Sequence, residues 1–214
     1  ARPALAQDAW PTRPVRIVVG FAAGGGTDIT TRALAPRMQA ILGQPLVIEN
    51  RPGGGGWPAT EQVMRAAPDG YTLMMGTISS LVMAPIMTAP NFAAEAELTP
   101  IGQSVDVLNI LVTPMDRPWR TAAELVAAAR AQPATLAYGT SGVGAAGHLA
   151  GALLDQMARI ETIHVPYRGG GQLITDIVSG KVDFSIATAA TVLPHIEAAR
   201  LRALPVPPPR RSAR

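Results

Sequence analysis

Residues 15–28 read VRIVVGFAAGGGTD, and the order of residue types along them predicts the fold class. Its β-branched opening, residues 15–19, predicts a buried strand, because branched side chains favour extended backbone and pack well on a sheet. The glycines that follow predict a flexible turn. Asp28 then opens a helical pattern that runs to about Leu42 and stops at Gly43. A strand, a glycine-rich turn and a helix in this order are typical of α/β proteins.

The same alternation continues along the chain in two units. Strands are predicted at 46–49, 71–75, 136–138, 160–165 and 182–186, and helices at 58–67, 121–132, 145–157 and 171–178. In the helix at 121–132, Thr121 and Glu124 are spaced as a capping box. The alternation predicts parallel sheets covered by helices on both faces. We expect a residual leader and arm at 1–12, domain 1 at 13–112, domain 2 with a crossover strand at 113–204, and a mobile Pro/Arg tail at 205–214.

Composition excludes several classes of protein. The 214 residues include no cysteine, which excludes disulfides, thiolate metal sites and a cysteine nucleophile. The net charge is +3, and five arginines lie near the C-terminus. Because these five exceed the net excess of positive charge, the rest of the chain is near neutral. Aromatic residues make up 4% and do not alternate with basic ones, which argues against nucleic-acid binding. No pair of histidines has metal-ligand spacing, and we expect no metal site.

Two segments bear on the compartment. Ala4-Leu5-Ala6 has the small-residue pattern at which a secretory signal is cleaved, which predicts export, although an Ala-rich terminus also produces such a tripeptide by chance. Residues 70–94 carry no charge over a length that can cross a bilayer. Pro85 and Pro90 interrupt that stretch, so a buried strand followed by a short helix fits it better.

Three turns combine a preceding strand, glycines with a hydroxyl or amide residue, and a helix start. They span residues 21–28, 139–148 and 167–172. Glycine lets backbone N–H groups approach an anion, and the unpaired first amides of a helix favour negative charge. Two such turns facing across a cleft would clamp a carboxylate at the carboxyl edge of the strands.

Nucleotide motifs do not fit these turns. A dinucleotide turn beginning at Gly24 has Ile29 where its last glycine belongs. A phosphate loop requires a Gly-Lys pair, and no glycine run in the sequence is followed by one. Residues 139–143, GTSGV, miss the GxSxG nucleophile elbow by one position. The turns therefore favour a carboxylate over a phosphate.

Two polar residues have a structural interpretation beside a functional one. Asp28 fits an N-cap of its helix, or a receptor for a ligand amino group or water. His148 fits a helix residue that hydrogen-bonds the loop before it. It also fits the base of a hydrolase in which Ser141 is the nucleophile and Asp155 or Asp176 the orienting carboxylate.

Seven segments occur in a specific order and spacing. They are PVRIVVGFAAGGGTD (14–28), VIENRPGG (47–54), APDGYTL (67–73), LTPIG (98–102), YGTSGVGAAGH (138–148), VPYRGGG (165–171) and GKVDF (180–184). Together they resemble the extracytoplasmic solute-binding receptors of tripartite tricarboxylate transporters, also called Bug or TctC proteins. The resemblance implies a type II periplasmic-binding-protein fold: two doubly wound domains with a ligand cleft between them, no catalysis and no cofactor.

The resemblance also implies the ligand contacts. On the first loop they are Phe21, Ala22, Gly25, Gly26, Thr27 and Asp28, and on the second loop Thr140, Ser141, Gly142, Gly144, Ala145 and His148. Candidates for the variable end of the ligand are Thr77, Ser79, Arg168 and Thr188. The implied ligand is a di- or tricarboxylate, an acidic amino acid or an aromatic acid.

The resemblance further implies a periplasmic location and a membrane permease as partner. A sensory module that docks on a receptor kinase is the alternative, and an α/β hydrolase is a third possibility. Residues 200–206, RLRALPV, resemble the family's crossover strand, after which the family continues with a segment that completes the first domain. We therefore expect the C-terminal part of domain 1 to be missing from this chain.

Overall fold

A computed structural model describes residues 10–88 and 94–205. The predicted cleavage site at residues 4–6 and the tail from residue 206 onward lie outside the described residues. Within them, no helix is long and apolar enough to cross a membrane.

The first sheet has three parallel strands, β1 (Val15–Val19), β2 (Leu46–Asn50) and β3 (Thr72–Met75), in the order β2-β1-β3. The β-branched run of β1 forms the central strand and is almost fully buried. Helix α1 (Gly26–Leu42) joins β1 to β2, and α2 (Trp57–Met64) joins β2 to β3. These elements were predicted, but α2 ends before the expected residue 67.

After β3 the described residues form three short helical elements. A π-helical turn (Ser79–Met83) leads into α3 (Ala84–Thr88), and α4 (Ala94–Glu97) follows. Residues 98–108 then run without regular structure to the second sheet.

The second sheet has five strands in the order β6-β5-β7-β4-β8. The strands are β4 (Asn109–Pro114), β5 (Ala137–Thr140), β6 (Ile163–Pro166), β7 (Phe184–Thr188) and β8 (Leu201–Ala203). The helices are α5 (Ala122–Ala131), α6 (Ala146–Ala158), α7 (Gly170–Val178) and α8 (Ala189–Glu197). Leu111 packs with Leu125 and Phe184, while Val112 packs with Ile177 and Val192, so apolar cores cover both faces.

The expectation of parallel sheets is wrong for β4, which pairs antiparallel with both β7 and β8. The strand that precedes β4 in the chain, β3, belongs to the first sheet, so no βαβ connection within one sheet fixes the direction of β4. The expected domain boundary after residue 112 falls inside β4, whose two neighbouring strands, β7 and β8, both belong to the second sheet. We propose that the second unit begins before Asn109.

Candidate ligand-binding site

A cavity of about 540 Å³ lies between the two sheets. Segments at the carboxyl ends of β1, β3, β5 and β7 line it, which is where ligands bind in open α/β sheets. Because β4 is antiparallel, its first residue, Asn109, lies at the same edge. The segment that leads into β4, residues 103–107, therefore also lies at this edge and forms part of the cavity wall.

Four helices begin at this cavity. Gly26 of α1, Ala146 of α6 and Gly170 of α7 line it, as does Thr188, the residue before α8. No side chain caps any of these four N-termini, whereas Thr121 caps α5. First-turn N–H groups have no partner within their own helix, and the helix dipole gives them partial positive charge. The cavity therefore suits an anion.

Glycines let the loops of the two units touch. A Cβ on Gly26 would lie 2.5 Å from Thr188 Cγ2, and one on Gly169 would lie 2.7 Å from Ala22 Cβ. A larger residue at either position would force the first loop away from the turns before α7 and α8. These contacts bring the helix N-termini together around one space.

Asp28 holds the first loop from behind. Its carboxylate accepts hydrogen bonds from Gly24 N–H at 2.9 Å, Asn50 Nδ2 at 3.0 Å and Arg32 Nε at 3.0 Å. Burial alone would raise the pKa of Asp28, but these hydrogen bonds and the Arg32 charge outweigh it and lower the pKa from 3.8. The N-cap interpretation is wrong, because Gly25 is the N-cap and Asp28 lies within α1.

His148 holds the second loop in a similar way. Its Nδ1 accepts a hydrogen bond from Gly144 N–H at 3.1 Å, which confirms the expected contact with the loop before α6. The ring stacks on His164 at 4.0 Å between centroids, and His164 Nε2 lies 2.7 Å from Thr140 Oγ1. Burial, and then the nearby His148, lower the pKa of His164.

The hydrolase interpretation lacks its orienting carboxylate. Asp155 accepts hydrogen bonds from Thr162, and Asp176 accepts them from Lys181 and Tyr167. The Nδ1 atom of His148, which such a carboxylate would contact, is bonded to Gly144. Nor do the described residues contain a group of three or more His, Asp or Glu side chains able to hold a metal ion.

The structure divides the predicted contacts into two groups. Those that line the cavity are Phe21, Gly25, Gly26, Thr27, Thr77, Ser79, Ser141, Ala145 and Thr188. Those outside its lining are Ala22, Asp28, Thr140, Gly142, Gly144, His148 and Arg168. Gly142 and Arg168 instead line a second cavity of about 270 Å³, beside the glycine run 53–56, that shares Phe21 and Ser141 with the first.

Sequence reasoning missed the wall formed by residues 103–107 and 109. Gln103, Ser104, Asp106 and Asn109 interrupt an otherwise apolar stretch, and this pattern is the signal that was available. Gly170 also lines the cavity, in the third predicted turn.

The geometry has a match among known proteins. The sequence profile of the tripartite tricarboxylate transporter family receptor, TctC, matches residues 30–214. The chain belongs to this family. A UPF0065 protein in the tcbD–tcbE intergenic region of Pseudomonas sp. strain P51 is 34% identical over 93% of the chain and 59% of its own length. BugT of Bordetella pertussis is 32% identical over 94% of the chain and 63% of its own length.

Solved structures agree. MatC from Rhodopseudomonas palustris with bound malate has a TM-score of 0.84 and 28% identity, over 91% of this chain and 66% of that one. An R. palustris protein with adipate has a TM-score of 0.76 and 32% identity, with the same coverage of both chains. These matches confirm the expected family and the periplasmic-binding-protein fold. The family is one of solute-binding receptors and not of enzymes, and the chain spans about 59–65% of the first curated relatives' length.

Proposed function

We propose that this chain captures a small organic carboxylate in the periplasm for a tripartite tricarboxylate-type transporter, with the membrane permease as its partner. The observation that carries this proposal is the meeting of four helix N-termini without side-chain caps at one cavity.

Each helix start contributes backbone N–H donors and the positive end of a dipole. Such donors suit a carboxylate, because an ionised acceptor makes shorter and stronger hydrogen bonds than a neutral one. Gly25, Gly26 and Gly170 line the cavity and let the helix starts pack against one another, which brings their N–H groups to one space. A cavity of about 540 Å³ has the size of a small-molecule site.

Relatives support the ligand class. Two structures of similar fold hold malate and adipate, which are both small organic acids. The helix starts that meet at the cavity here offer a carboxylate binding site on the same fold. Export and docking on a permease follow from the family's role as transporter receptors, and they form part of the proposal.

Calorimetric titration of the folded 214-residue chain with monocarboxylates, dicarboxylates, tricarboxylates and amino acids tests the proposal. We expect saturable heat with at least one of them. Ser141→Ala removes a hydroxyl that lines both cavities and should weaken binding about fivefold, a typical loss for one hydrogen bond. Ser179→Ala, at an exposed position outside both cavities, should bind as the parent does. No heat with any compound from folded protein would refute the proposal.

A further inference from the structure

Asp106 brings an exposed carboxylate to the lining of the cavity at which the four helices begin. Among the described residues that line the cavity it is the one charged side chain, and none is lysine, arginine or histidine. The remaining polar lining consists of hydroxyls and amides, such as Thr77, Gln103 and Asn109. The side chains of this cavity therefore carry a net negative charge, although the helix starts favour an anion.

Among the described residues, no cation is paired with this carboxylate. Gln103 Nε2 donates a hydrogen bond to Asp106 Oδ1, so this partner of the carboxylate is a neutral amide. No ion pair within 4.0 Å joins Asp106 to an Arg, Lys or His side chain in the part of the chain that the structure describes. A ligand group that enters the cavity meets this charge directly.

Arg168 is the cation among the predicted ligand contacts, and it belongs to a different space. Arg168 lines the second cavity, next to the glycine run 53–56, and is absent from the lining of the first. A second carboxylate held in the first cavity would therefore face Asp106 without a compensating cation. A positively charged group in the same place would be attracted to Asp106.

Apolar side chains complete the wall. Met75, Val105, Val107, Leu173 and Ile186 line the same space. They suit a hydrocarbon chain that joins two charged ends, since moving apolar surface out of water is favourable.

We infer that this site selects a zwitterionic carboxylate, with its carboxylate on the helix N-termini and its ammonium group toward Asp106, over a dicarboxylate of equal length. The inference rests on the proposed function, because it assigns the second end of the same ligand. It makes Asp106 a specificity-determining residue.

Matched ligand trios test the inference by calorimetry. At four carbons the trio is 4-aminobutyrate, butyrate and succinate, and at six carbons it is 6-aminohexanoate, hexanoate and adipate. We expect the amino acid to bind about fivefold more tightly than the monocarboxylate, the scale of a solvent-accessible ion pair. The dicarboxylate should bind most weakly of each trio.

Asp106→Asn removes the charge and preserves the shape. In this variant the three members of a trio should bind within about twofold of one another, because the attraction and the repulsion both disappear. Asp116→Asn makes the same change at an exposed position outside both cavities and should keep the parent's order. Raising the salt concentration should compress the order in the parent, as it screens the charge.

The outcomes separate the two claims. The inference would be overturned if the dicarboxylate bound most tightly, if Asp106→Asn left its affinity unchanged and if Arg168→Ala lowered that affinity. The proposed function would remain intact in that case. Heat with no member of any trio or of the wider carboxylate panel would overturn the proposed function and the inference with it.

Discussion

The ring of His148 accepts a hydrogen bond at Nδ1 from the N–H of Gly144, at 3.1 Å, across the start of α6. Gly144 is buried and has φ +76°, a left-handed conformation that suits glycine. The bond fixes the orientation of the loop that carries Ser141 and Ala145 to the cavity. His148 is therefore a positioning residue, because it acts on the ligand through the loop.

Removing this acceptor should weaken ligand binding. We expect His148→Ala to lower affinity about fivefold, since the buried Gly144 N–H loses its partner and the loop is free to shift. His148→Asn is the matched control, because its Oδ1 takes the place of Nδ1 and should retain most of the affinity. Calorimetry with the best ligand measures both, and equal losses in the two variants would contradict the positioning role.

A second prediction concerns acid. Burial, and then the charge of nearby His148, lower the pKa of His164 from 6.5, so the folded protein binds a proton there less readily than the unfolded chain. The free energy of unfolding should therefore fall as the pH drops below about 6.5 toward the lowered folded pKa. His195 is shifted in the same direction by burial and then by Arg200, and it adds to the effect.

Urea unfolding between pH 7.5 and pH 5 measures this dependence. His148 and Tyr138 are the titratable groups whose rings contact His164. His164→Gln places an amide near the position of Nε2, beside Thr140 Oγ1, and does not titrate, so its stability should fall less steeply with acid. A slope equal to that of the parent would show that His164 makes no contribution.

Local patterns in the sequence predicted most of the framework. The run at 15–19 and the glycine stop at Gly43 were sufficient to place β1 and the end of α1, because both depend on neighbouring residues. At α5, Glu124 N–H donates to Thr121 Oγ1 as expected, but the Glu124 carboxylate accepts from Arg120 N–H instead of from Thr121.

Long-range placement was not predictable in this way. The direction of β4 depends on how the chain arrives from another sheet, and its antiparallel pairing carries residues 103–107 to the cavity. The roles of Asp28 and His148 also depend on packing. The sequence predicted both as ligand contacts. In the structure Asp28 bonds Asn50, His148 bonds Gly144, and neither residue lines the cavity.

The contact between Gly26 and Thr188 gives a third prediction. Gly26→Ala should destabilise the protein by about 1–3 kcal/mol, because its Cβ would lie 2.5 Å from Thr188 Cγ2 and the two loops must separate. Thr188→Ala removes that methyl group, so the double variant should recover part of the loss. Urea unfolding of the two single variants and the double variant measures the coupling, and strictly additive losses would contradict this contact.

The fourth prediction concerns Asp28, a residue that is 2% exposed and whose carboxylate accepts hydrogen bonds from Gly24, Arg32 and Asn50. Asp28→Ala leaves three donors without their acceptor and should cost about 3 kcal/mol of unfolding free energy, measured by urea denaturation. Ligand affinity should fall about tenfold as well, since Asn50 Nδ2 also donates to Phe21 O and so connects Asp28 to the cavity wall.

The control for Asp28 is Asp116→Ala, which removes an exposed carboxylate and should change stability by less than about 0.5 kcal/mol. The pH dependence gives an independent check, because the pKa of Asp28 is lowered in the folded protein. Its contribution to stability is present above about pH 4 and is lost as the pH falls through the folded pKa. Asp28→Ala should therefore lose less stability than the parent between pH 4 and pH 2. If Asp28→Ala bound ligand as tightly as the parent while remaining destabilised, Asp28 would support the fold without positioning the first loop for the ligand.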